Sequence, residues 1–233
     1  MPGAERVEGT PLGAAPQGGA PRTVWLTTES DPGLLSARAA ALRLQEQGRT
    51  AHLVWNPVTG ETAQLLPTTS AANGALTDRG VDHAAEGRVC ILILVIGRTL
   101  APFTDGPLTG LADILTWLDS WEVARQWPAG APAAPSERAL WSSSRERIWA
   151  RGGHFGHCQV PGAHSDSPGA ISPERILGAP HAVAAPTPPR PPEPRRGGGH
   201  PQRDVCEHDI MDPPGGVGSS GLDTRPRVGA LPS

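Results

Sequence analysis

The chain has 233 residues with 20 basic and 23 acidic side chains, every basic one an arginine, for a formal net charge of −3. A slight negative excess and scattered arginines exclude a nucleic-acid surface built on a concentrated basic stripe. The longest apolar run, VCILILVIG over Val89–Gly97, is about half of what a membrane-spanning helix needs, so no membrane partner is expected. Three cysteines far apart in sequence, Cys90, Cys158 and Cys206, indicate no disulfide framework.

Residues 1–21 carry Gly, Pro and Ala without an apolar run and are expected to form a disordered N-terminal segment. They lack the basic start and the roughly 7 to 15 apolar residues of a secretory signal, which points to the cytoplasm. TVWLTT, at Thr23 to Thr28, is rich in β-branched residues and reads as a strand. Ser30, Asp31 and Pro32 offer N-cap chemistry for a helix from about Leu34 to Gln47, with Leu35, Ala39 and Leu42 on one face and Gly48 as its stop.

TAHLVWNP and ETAQLLP, joined at Val58, Thr59 and Gly60, predict a β-hairpin. Val89 to Gly97 is apolar on both faces, as in a central strand covered by helices. Leu108, Leu111, Leu115 and Leu118 recur at helical spacing beside Trp117 and Trp121, and a weaker helical stretch follows around Ser136 to Trp149. The sum is an α/β domain over residues 22–177, a single mixed central sheet with helices packed on it. From residue 178 to 233 the chain runs through PTPPRPPEPRRGGG and similar tracts that bury little apolar surface, and a disordered low-complexity tail is expected.

The segment GGHFGHCQVPGAHSDSPGAI concentrates metal-donor side chains: His154, His157, His164, Cys158 and Asp166. Zinc takes imidazole, thiolate or carboxylate, and a hydrolytic zinc keeps three protein ligands and one open position for water. The spacing of these residues alone is equally that of a solvated loop.

HFGHCQVP followed by SPGAI, with VWLTTES near the N-terminus and AHLVWNPVTGETAQLLP between them, resembles the zinc-dependent N-acetylmuramoyl-L-alanine amidases, which share the fold of the peptidoglycan recognition proteins. The resemblance runs from about Val24 to Leu177. It implies a peptidoglycan or muropeptide partner, one zinc ion, and hydrolysis of the amide between the lactyl group of N-acetylmuramic acid and L-alanine by a zinc-activated water. His157 matches the family's second ligand in its Gly-His-Ser motif.

The third ligand is implied at Asp166, one residue before the ungapped position held by Ser167. His164, at the matching offset from Asp166, takes the oxyanion-stabilising role. Two positions depart from the pattern. Leu26 stands where the family's first strand carries its first histidine ligand, and Leu94 where its central strand carries a glutamate near the zinc water. Loss of a general acid or base costs about 10² to 10⁴ in rate.

His154 is a candidate replacement ligand or ligand contact, and His52 lies on a strand that in this family faces the substrate cleft. Three readings follow: an impaired zinc amidase, a non-catalytic muropeptide-binding module, or a degenerate copy without function.

Overall fold

The structure, a computed structural model, describes residues 1–72, 74–77, 81–133 and 144–178. The expected tail lies, from residue 179 onward, outside the described residues, as does the first part of the helical stretch expected from Ser136.

Six strands form one mixed sheet: β1 (Glu5–Arg6), β2 (Arg22–Thr27), β3 (Leu53–Trp55), β4 (Thr62–Gln64), β5 (Cys90–Val95) and β6 (Gly153–Gly156), in the order β1-β4-β3-β5-β2-β6. The β3–β4 pairing is antiparallel and all others are parallel. Helices α1 (Ala37–Glu46), α2 (Leu111–Ser120), α3 (Ser144–Trp149) and α4 (Pro173–Leu177) complete the regular elements. The single mixed sheet with packed helices is the architecture the sequence predicts.

Strand alternation divides the core. Val24, Leu26, Leu92, Leu94 and Phe155 face one side, with Ala37, Ala40, Ala41 and Leu44 of α1. Trp25, Trp55, Ile91, Ile93 and Val95 face the other, with Leu111, Ile114, Leu115 and Leu118 of α2. Because successive side chains point to opposite faces, the apolar run of β5 and Val24, Trp25 and Leu26 of β2 are covered on both sides. All six residues of each are buried.

The hairpin forms as expected. Asn56 Oδ1 accepts from the backbone N–H of Val58 at 2.9 Å and of Thr59 at 3.2 Å, and Gly60 closes the turn at φ +81°.

Helix α1 differs from expectation in its cap and its face. Ser36 Oγ, not the Ser30–Pro32 stretch, accepts from Ala39 N–H at 3.1 Å, while Asp31 Oδ1 instead accepts from Gly33 N–H at 2.8 Å within the preceding loop. The buried stripe is Ala37, Ala40, Ala41 and Leu44, leaving Leu42 39% exposed. Alanines at i, i+3 and i+4 let the helix approach the sheet closely, which outweighs the larger apolar area of Leu42.

The N-terminal residues also depart from the disorder expected of them. Glu5 and Arg6 pair with Ala63 and Gln64, Arg38 bonds Glu5, and Val7 is buried. Edge strand β4 offers unpaired backbone groups, and a two-residue strand satisfies them without needing an apolar pattern of its own. No helix among the described residues is long and apolar enough to cross a membrane.

Candidate functional site

Three loops leave the C-terminal ends of neighbouring parallel strands β2, β5 and β6, the place where open α/β sheets commonly bind ligands. They enclose a groove of about 610 Å³ whose lining includes Leu26, His157, His164 and Asp166, together with Glu29 and Thr99.

The rim is tied together by short polar contacts. Ser167 Oγ accepts from Thr27 N–H at 2.7 Å, a bond spanning 140 residues of sequence, and lies 3.0 Å from Thr27 Oγ1. Thr27 Oγ1 donates to Glu29 Oε1 at 2.7 Å, and the same carboxylate accepts from the backbone N–H and hydroxyl of Thr99. Glu29 holds a left-handed backbone at φ +56°, which is costly for a residue with a Cβ, and these bonds hold it there. Gly169, at φ +82°, lies so close to the next loop that an added Cβ would sit 2.0 Å from Thr99 O.

The expected site residues separate into two groups. His157, His164 and Asp166 reach the groove from the β6 loop, and Leu26 lies in the same lining. His157 Nε2 lies 2.7 Å from Leu76 O; since a carbonyl only accepts, this nitrogen carries the proton and donates. His164 is exposed and Asp166 is half-buried.

His52 and His154 do not reach the groove. His52 is fully buried: its Nδ1 accepts from Leu92 N–H at 3.0 Å, and Nε2 donates to Ser70 O at 2.8 Å. The ring thus clasps β5 to the loop after β4, and burial pushes its pKa down to about 4. It is a satisfied histidine of the sheet, a correction to the expected ligand contact.

His154 is likewise fully buried, on the α2 side of the sheet, because alternation along β6 sends it opposite to Phe155. Its ring stacks between Trp25 and Trp127, each 6.0 Å away by ring centroid. Nδ1 accepts from Trp25 Nε1 at 3.2 Å, and Nε2 has no hydrogen-bond partner among the described residues. Burial first, then nearby Arg125, lowers its pKa to about 3. It is not placed to replace a ligand in the groove.

The donors present do not fit a three-ligand zinc ion. Leu26 has no lone pair and Leu94 is buried in the same apolar cluster, so the first ligand and the glutamate are missing from the donor set. Among the described residues no group of three His, Cys, Asp or Glu side chains is placed to hold a metal.

Thr27, Glu29, Arg49 and Thr99 line the groove without having been singled out from the sequence. The TTES following Leu26 was the available signal for Thr27 and Glu29. Thr99 and Arg49 sit in loops with no pattern to mark them.

No family model matches the sequence, and no curated protein matches it. Solved structures with a similar chain path include the endolysin N-acetylmuramoyl-L-alanine amidase LysCS from Clostridium intestinale URNW, at TM-score 0.44 and 14% identity over 76% of this chain and 93% of that one. The N-acetylmuramoyl-L-alanine amidase LysC from the same organism gives TM-score 0.44 and 12% identity over 76% and 95%. The Ph2119 endolysin from Thermus scotoductus MAT2119 bacteriophage Ph2119 gives 0.40 and 12% over 70% and 86%.

Proposed function

We propose that this chain is a peptidoglycan amidase-like domain that holds muropeptide in the groove above β2, β5 and β6 and does not hydrolyse it by a zinc-bound water. The observation that carries the reading is the meeting of Leu26, His157, His164 and Asp166 in one groove. The sequence resemblance assigns those positions to the first, second and third ligands and the oxyanion contact, although they come from opposite ends of the domain.

The chemistry of the lining supports binding over catalysis. One zinc ligand and the general acid/base are what the two leucines replace, and an apolar floor with a polar rim is ordinary ligand-site composition. Leu26 on the floor and Leu100, 84% exposed at the edge, offer apolar contact to sugar and alanyl methyl groups, while Thr99 and His164 offer hydrogen bonds.

The test is retention of the purified full chain on insoluble peptidoglycan, with zinc content and release of L-alanine-terminated peptides measured on the same sample. Retention well above that of an unrelated acidic protein, with no peptide release, is the expected result. Retention no better than that control overturns the reading. Release of peptide that scales with bound zinc replaces it with that of an enzyme.

A further inference from the structure

Arg43 and Arg49, on the last turn of α1 and just beyond it, line a second cavity of about 140 Å³ with Thr27, Thr28, Ser30 and Leu94. This cavity shares Thr27, Thr28 and Arg49 with the groove, so the two adjoin. Their electrostatics differ. The groove carries Glu29 and Asp166 beside its histidines, whereas the ionisable lining of the smaller cavity is the two arginines alone.

Neither guanidinium forms an ion pair among the described residues, although four other arginines do. Thr28 Oγ1, in the lining of both cavities, is buried without a hydrogen-bond partner among the described residues. Thr28 adds a polar residue to the shared wall of the two cavities.

We infer that the smaller cavity is an anion subsite that takes a carboxylate of the peptide stem when a muropeptide lies in the groove. This rests on the reading of the groove as a muropeptide site. The planar fork of a guanidinium matches a carboxylate in two parallel bonds. A neutral sugar gains nothing comparable from two cations, so the arrangement orients the ligand: stem carboxylate toward α1, sugar toward the β6 loop.

The test is calorimetric titration of the full chain with N-acetylmuramyl-L-alanyl-D-glutamate and with the same compound amidated at both carboxyls. The acid form binds the wild type about tenfold more tightly than the amide form. Arg49→Gln and Arg43→Gln each reduce that preference and together abolish it. Arg49→Lys, which keeps the charge, retains part of the preference. Both arginines are exposed, and circular dichroism verifies the fold of each variant. Equal binding of acid and amide forms by the wild type overturns the subsite and leaves the groove reading standing, as does a preference that survives in the Arg43→Gln/Arg49→Gln double variant. Absence of binding by both forms overturns the two together.

Discussion

Leu26 on β2 and Leu94 on β5 are register partners, directly opposite each other on adjacent parallel strands, and both belong to the apolar cluster beneath α1. The two positions at which the chain departs from the amidase pattern are therefore one structural unit. A lone histidine or glutamate there would be left in apolar surroundings, and the paired leucines satisfy each other instead.

That pairing predicts the behaviour of Leu26→His/Leu94→Glu. Without metal the double variant loses about 2 to 4 kcal/mol of stability, because two polar groups enter the apolar cluster. Residue 26 shares the groove with His157 and Asp166, so added zinc raises the melting temperature of the variant and not of the wild type. Thermal melts with and without zinc, with elemental analysis of the dialysed protein, check this. A variant that melts alike in both conditions would show that the three positions do not converge as described.

The two buried histidines set the acid limb of stability. Each is neutral in the folded protein, with its pKa lowered to about 4 for His52 and about 3 for His154, against about 6.5 in the unfolded chain. Between those values the unfolded state binds more protons, so stability rises with pH and is lost as pH falls below about 6.5. The loss approaches about 1.4 kcal/mol per pH unit for each group. His154→Phe keeps a ring between Trp25 and Trp127 and flattens the urea-midpoint profile by about one proton between pH 6 and pH 4. An unchanged slope would contradict the neutral, buried state of His154.

His52→Ala separates structure from ligand contact. It removes the clasp to Leu92 and Ser70 and leaves a cavity, for a loss of about 2 to 4 kcal/mol. Muropeptide affinity of the folded fraction, measured well below the melting temperature, is unchanged. A selective loss of affinity with normal stability would restore His52 to the site.

Gly169→Ala probes the rim. Its φ of +82° and the 2.0 Å approach of a Cβ to Thr99 O leave no room for a side chain. A destabilisation of about 2 to 4 kcal/mol is expected in chemical denaturation, with loss of the groove's binding.

The parts of the fold dictated by local chemistry were legible. The unbroken apolar run at Cys90–Val95 marked a strand buried on both faces, and the Asn56–Gly60 turn marked the hairpin. The face of α1 was not, because larger Leu42 outweighs Ala40 in any reading by apolar size while close approach to the sheet favours alanine. The Glu5–Arg6 strand is recruited by an open edge, a non-local cause with no local signature.

His157, His164 and Asp166, expected from their loop, all line the groove. His52 and His154 were misplaced because their donor chemistry is visible in the sequence, whereas their burial depends on distant partners: Ser70 and Leu92 for one, Trp25 and Trp127 for the other.

The bonds that join Thr27, Glu29, Thr99 and Ser167 have a kinetic consequence. They lock the loops after β2, β5 and β6 to one another before any ligand arrives. Immobilising a mobile side chain on binding costs about 0.5 to 1.5 kcal/mol, and most of that ordering is already complete here. Ligand capture at such a rim is a rigid docking event limited by encounter, with no slow closing phase to follow it.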